Sequence, residues 1–249
     1  MAVKKRKKVS FFKRFWHFLL KLAIIFFIVS IGSVILFKWV NPPITPLMVI
    51  RLFQQKNNDK EVKMEYTWAD IEDVSSYMPQ AIIASEDGYF LYHNGFDWDA
   101  IEKAKEYNKT HKIKRGASTV SQQTAKNVFL WPDRTWFRKG MEVYFTFLIE
   151  LFWSKERIME VYINVIEYGD GIYGAEEAAK KYFNKSAKNL TMDQSAALVA
   201  CLPSPRKWNP EIAPRIFYTR KAIILKNMQN IGPQKLEKRP YNEVRKKKR

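Results

Sequence analysis

The residues best equipped for chemistry are two adjacent acids, Glu86 and Asp87, which follow the apolar run Ala81-Ile82-Ile83-Ala84 and precede Gly88, Phe90, His93 and Gly95. An acid at the end of an apolar run stands at the edge of a buried element, where shielding from water can tune a carboxyl group for proton transfer. Much further along, a third acid, Glu142, follows the basic pair Arg138-Lys139. Carboxylates on two sides of a cleft are the equipment of glycosyl transfer. The same pattern fits a first-turn acid that simply faces water, and the acids alone do not separate the two readings.

Helices must position these groups. Pro79 opens the run Gln80 to Ala84, which carries Glu86 at its end. Gly116-Ala117-Ser118-Thr119 supplies a flexible residue and a hydroxyl cap ahead of a helix from Val120 to Phe129. Ser118, Gln122 and Lys126 recur every four residues and line one face, with Thr119, Gln123 and Asn127 on the adjacent one. Open N–H groups at its start, a hydroxyl and a lysine two turns on compose an anion site, although a capped surface helix has the same residues.

Arg138 to Trp153 reads as a helix with Val143, Phe147, Leu151 and Phe145, Leu148, Phe152 on an apolar side, leaving Glu142 and Glu150 elsewhere. Ser154 caps the next helix, Lys155 to Ile163, and Thr191 with Gln194 forms a capping box before Ala196 to Leu202. Gly169, Gly171 and Gly174 mark a bend, and a last helix runs from Arg215 to Asn230. Alternating β-branched runs are too sparse for a substantial sheet, so the fold class is mainly α.

Glu86-Asp87 with Phe90, His93 and Gly95 resembles the first signature of the peptidoglycan glycosyltransferases, lysozyme-like enzymes that polymerise lipid II. Four further blocks follow in that family's order. They are Gly116 to Thr119 with Gln122-Gln123 and Lys126-Asn127; Arg138-Lys139 with Glu142; Ser154-Lys155 with Ile158, Glu160, Tyr162 and Asn164; and Ala196 to Leu198 with Leu202-Pro203 and Asn209-Pro210. The resemblance covers roughly residues 65–230 and points to the monofunctional biosynthetic members.

What the resemblance implies is a lysozyme-like domain that joins a polyprenyl-pyrophosphate-linked donor to the 4-hydroxyl of lipid II, with inversion. Glu86 would be the general base. Glu142, with Lys126, Arg134, Arg138, Lys139 and Lys155, would serve the departing diphosphate, and Asp87, Ser118, Gln122, Gln123 and Asn164 would complete the substrate-binding set. A divalent cation such as Mg²⁺ is compatible with that duty through Glu142 or Asp87. Transpeptidation is not expected, because the Ser-x-x-Lys from Ser10 to Lys13 lies in the basic head and lacks a Lys-Thr-Gly partner. A lytic enzyme of the same shape would need an acid but not the cations, and a wall scaffold would need neither.

Composition narrows the setting. The chain has 249 residues, 47% of them hydrophobic and 15% aromatic, enough to build a core. Its net charge of +18 gathers at the ends, with eight Lys/Arg and no acid in residues 1–21 and eight Lys/Arg against two acids in residues 235–249. Charge in tails suits anionic lipid better than a nucleic acid. A lone cysteine, Cys201, excludes an internal disulfide, and His17, His93 and His111 lack metal-ligand spacing.

The uncharged run from Leu22 to Phe37 extends back through Phe15, and a helix from Phe15 or Phe18 to Val40 can cross a hydrocarbon core of about 30 Å. The expected layout is a basic cytoplasmic head (1–14), a transmembrane helix (15–40), a proline-stiffened linker (41–64), the glycosyltransferase domain (65–230) and a basic tail (231–249). Basic residues ahead of the helix place the N-terminus in the cytoplasm and the domain outside the bacterial inner membrane. Leu130 to Phe137 is aromatic enough to dip into lipid head groups, or else folds back on the core. Expected partners are lipid II, the growing strand, membrane lipids and other wall-building proteins.

Overall fold

A computed structural model describes residues 11–58, 61–112 and 114–240. Residues 1–10 of the basic head, with Ser10 of the Ser-x-x-Lys, and residues 241–249 of the basic tail lie outside the described residues. The chain divides into two units, Met1–Val40 and Asn41–Arg249.

The first unit holds α1, Phe11–Leu36, a helix of 26 residues. Its most apolar 18 residues have a mean hydropathy of 2.6, and at 1.5 Å per residue the stretch Phe12–Leu36 is long and apolar enough to cross a membrane. Trp16, Phe18, Leu19, Ile24 and Ile28, which point to different sides of the helix, are all exposed, so it is apolar around its circumference as a lipid-facing helix is. It stops at Leu36 rather than Val40, the last residues turning toward Asn41-Pro42.

The segment expected as a linker contains α2 (Pro46–Asn57), because Thr45 Oγ1 accepts the Met48 N–H at 3.3 Å and Pro46 occupies the first turn, where its missing N–H costs nothing. Leu47 and Met48 are buried. α3 (Tyr77–Glu86) starts two residues before Pro79 for the same reason, and α4 (Trp98–Thr110) is capped by Asp97. Then come α5 (Val120–Phe129), α6 (Trp136–Phe152), α7 (Lys155–Val165), α8 (Gly174–Phe183), α9 (Met192–Cys201) and α10 (Arg215–Ile231). The capping hydroxyls expected at Ser154 and Thr191 are in place, and of the pair Ser118-Thr119 it is Thr119 that caps α5.

α5 is the middle helix. Val120, Ser121, Thr124, Ala125 and Val128 are buried against α6, α7 and α2, while α3, α9 and α10 form a second packed group. A small sheet orders its strands β1-β3-β2, where β1 is Glu65–Tyr66, β2 is Glu167–Gly169 and β3 is Ile172–Tyr173. β1 runs parallel to β3, and β2 antiparallel to it. What the glycines mark is thus a hairpin. Gly171 has φ 76°, and a Cβ there would stand 2.4 Å from the Lys63 carbonyl oxygen, so the turn admits only glycine.

α6 departs from its expected orientation. Phe145, Leu148 and Ile149 face the core with Glu142 and Thr146, whereas Val143, Phe147 and Leu151 are exposed together with Trp136 and Phe137. Periodicity finds two apolar stripes on this helix, and only packing decides which one is covered.

Candidate active site

Glu86 is the last residue of α3, partly shielded, with both oxygens engaged. Oε1 accepts from Arg220 Nη2 at 2.6 Å and from Ser85 Oγ at 3.0 Å. Oε2 accepts from the Gln123 amide at 3.2 Å. The orientation of that amide is fixed from its other end, where the Tyr162 hydroxyl donates to Gln123 Oε1 at 3.1 Å. Tyr162 is fully buried, and burial, followed by the charge of Glu86, raises its phenol pKa, so it remains a donor. A line of contacts therefore runs Tyr162, Gln123, Glu86, Arg220. Among the described residues Oε2 accepts only this one hydrogen bond, which leaves it a lone pair for an incoming proton.

Glu86 opens on a hollow of about 630 Å³ that Ser118, Gln123 and Arg220 also line. A second hollow, of about 350 Å³, is lined by Lys126, Arg134, Arg51 and Tyr162. Gln123, Leu202 and Pro203 belong to both, which makes them one cleft with Gln123 at its waist. A carboxylate stands on one side and a group of cations on the other.

Burial pulls the Lys126 pKa down; Glu142 opposes this, and Arg138, Lys139 and Arg51 lower it further. Glu142 is itself buried, one oxygen taken by Arg138 Nη1 and the other by Lys139 Nζ. It gathers cations rather than reaching into the cleft. Arg134 is exposed at the edge of the second hollow.

Four of the residues expected to bind substrate have their polar atoms spent inside the fold. Both Asp87 oxygens lie 3.0 Å from His93 Nε2, and Oδ2 also accepts the Val120 N–H at 2.9 Å. His93 Nδ1 accepts the Gly95 N–H at 3.1 Å, which fixes the proton on Nε2 and makes it the donor to Asp87. The start of α5, expected to be open for a ligand anion, is thus filled by the protein's own carboxylate and by its capping box.

Gln122 closes that box, its side chain accepting the Thr119 N–H at 3.0 Å, and so faces inward. Lys155 is only 2% exposed, paired with Glu150 at 2.6 Å and lying over the Phe90 ring. Asn164 exchanges hydrogen bonds with the Ala69 backbone, each 2.8 Å long. The contacts of Asp87 with Val120 and of Asn164 with Ala69 join residues far apart in sequence, so a local pattern of polar residues could not reveal them.

Among the described residues no group of three or more His, Cys, Asp or Glu gathers as a metal site. The oxygens of Asp87 and Glu142 are held by His93 and Val120 and by two cations, and as arranged they do not fit a divalent ion. Sequence reasoning gave no site role to Tyr162, Arg220 or Arg51. Tyr162 lies within a motif block, whereas Arg220 and Arg51 sit in ordinary helical sequence without a signal.

Residues 54–229 match the sequence model of the Transglycosylase family. Over 216 residues the chain is 53% identical to the biosynthetic peptidoglycan transglycosylase of Bdellovibrio bacteriovorus, covering 87% of this chain and 86% of that one. The protein of the same name from Bacteroides thetaiotaomicron is 50% identical over 222 residues, 89% of each chain. That of Shewanella oneidensis is 44% identical over 228 residues, 91% of this chain and 96% of the relative.

Proposed function

Because the chain belongs to the transglycosylase family and is a glycosyltransferase acting on peptidoglycan precursors, we propose that it polymerises lipid II into β-1,4-linked strands by a single inverting displacement with Glu86 as the base. Oε2 of Glu86 takes the proton of the acceptor's 4-hydroxyl as that oxygen attacks the donor's anomeric carbon. The bond from that carbon to the diphosphate breaks on the opposite face. Lys126 and Arg134, with Arg138 and Lys139 assembled around Glu142, meet the charge that develops on the leaving group.

The observation that carries this reading is the position of Gln123, which touches the carboxylate and also lines the cationic hollow. A hydrolase that cuts finished glycan needs no such cations. Side-chain charge suffices for the diphosphate in this mechanism, and titration with divalent ions tests that assignment.

We further assign α1 as a single-pass anchor with the N-terminus in the cytoplasm and the domain outside. The uncovered apolar stripe Trp136, Val143, Phe147 and Leu151 supports a lipid-facing surface on the domain. Substrates that carry polyprenyl tails are met at high effective concentration by an enzyme confined to the same surface.

Detergent-solubilised protein incubated with labelled lipid II is expected to give a ladder of strands on a gel. Glu86→Gln keeps the size and most of the bonds but cannot take the proton, so turnover falls by roughly 10²–10⁴-fold with KM little changed. Wild-type turnover in that variant, or hydrolysis of preformed glycan in place of polymerisation, refutes the assignment.

A further inference from the structure

The hollow that holds Lys126 and Arg134 has a third cation, Arg51, which comes from α2 and precedes the first residue matched by the family's sequence model. Its partner is Glu167 on β2, and the pair is incomplete. Arg51 Nε stands 3.5 Å from Glu167 Oε2, whereas Arg157–Glu160 and Lys155–Glu150 close to 2.6 Å. Among the described residues, Arg51 Nε and Glu167 Oε1 are buried without a hydrogen-bond partner. Native folds rarely leave such atoms unpaired, and an unused donor beside a hollow is what a bound group would satisfy.

One edge of the guanidinium is already fixed, because Nη1 donates to Gln54 Oε1 at 2.6 Å. The Glu167 side chain is 7% exposed, and burial, opposed by Arg51 and Arg206, raises its carboxyl pKa. Three cations and one carboxylate leave the hollow positive by about two charges, which complements a diphosphate diester. A planar fork with an open N–H suits phosphate oxygens better than an ammonium does.

We propose that Arg51 is a third phosphate-binding cation of this hollow, oriented by Glu167, so that the substrate diphosphate is gripped from α2 as well as from α5 and the segment after it. The proposal rests on reading the hollow as the diphosphate site. Glu167 is a positioning residue that acts through Arg51. The phosphate of a membrane lipid head group shares this chemistry and is the rival occupant.

Isothermal titration of farnesyl diphosphate into the detergent-solubilised full chain tests the idea, alongside polymerisation in nanodiscs with and without phosphatidylglycerol. Arg51→Met should weaken farnesyl diphosphate binding about tenfold and raise KM for lipid II by a similar factor, with kcat changed less than about twofold. Arg51→Lys should recover part of the loss. The double variant Arg51→Met/Glu167→Gln removes both charges, so it should melt near the wild-type temperature while binding as weakly as Arg51→Met. Unchanged farnesyl diphosphate affinity in Arg51→Met overturns the proposal. So does a defect confined to phosphatidylglycerol nanodiscs, which assigns Arg51 to the head group. Lys126→Ala separates the two layers of the argument: if it weakens binding while Arg51→Met does not, only the role of Arg51 falls, and if neither weakens it, the diphosphate reading of the hollow falls too.

Discussion

Lys155→Met distinguishes a lysine that binds substrate from one that holds the fold. The Lys155 ammonium meets Glu150 at 2.6 Å, lies 4.7 Å from the centre of the Phe90 ring and is almost wholly buried, and the Ser121 hydroxyl donates to the same Glu150 oxygen at 2.5 Å. Removing the lysine strands a buried carboxylate with one neutral donor, a change that costs about 3–5 kcal/mol. For a domain of this size each kcal/mol lowers the melting temperature by about 2–4 °C, so the expected fall is about 6–20 °C. Lys155→Met/Glu150→Gln, which removes both charges, should regain most of it. Thermal denaturation followed by circular dichroism supplies the readout, with lipid II kinetics at a temperature where each variant is folded. A melting temperature within about 2 °C of wild type, combined with a many-fold rise in KM, would show that Lys155 faces the substrate and that the buried-pair argument fails.

Three other outcomes follow from the site. Lys126 must be protonated to hold a phosphate and its pKa lies below the ordinary lysine value, so affinity for lipid II should decline on the alkaline side before ordinary lysines titrate; Lys126→Arg should move that limb upward in a KM–pH profile. Tyr162→Phe releases the Gln123 amide from its fixed orientation, and kcat should fall about tenfold while the melting temperature changes little. A membrane-impermeant thiol reagent applied to intact cells should label Lys103→Cys but not Lys8→Cys, and the reverse pattern inverts the orientation assigned to α1.

What the sequence made legible was local. Ser154, and Thr191 with Gln194, could be placed because a cap and its N–H lie within one turn of each other, whereas Gln122, expected to bind substrate, closes the same kind of box on Thr119. Glu86 was legible from the apolar run before it and from a family likeness that fixed the order of five blocks. The two- and three-residue strands are too short to show alternation, and the parallel pairing of Glu65 with Ile172 joins positions that no local pattern relates. The fates of Asp87, Lys155 and Asn164 were hidden for the same reason. Each is polar and close to a motif, yet its partners, Val120, Glu150 and Ala69, sit on other segments. Arg220 was invisible because a basic residue on an amphipathic helix is ordinarily a solvated one.

The two adjacent acids do opposite work, and the division explains how Glu86 is aimed. Asp87 leaves α3 and closes on the first N–H of α5, with the Nε2–H of His93 on its other side, so the end of α3 is bound to the start of α5 by a buried carboxylate. Gln123 lies one turn further along α5 and reaches back to Glu86. The helix that receives one acid thus supplies the amide that orients the other, and α3 and α5 are fixed at two points along their length. A carboxylate set in this way needs little reorganisation when the acceptor hydroxyl arrives. Asp87→Asn should therefore lower kcat even in protein that remains folded, because the neutral amide loses the charge that ties α3 to the start of α5 and lets Glu86 drift from its line with Gln123.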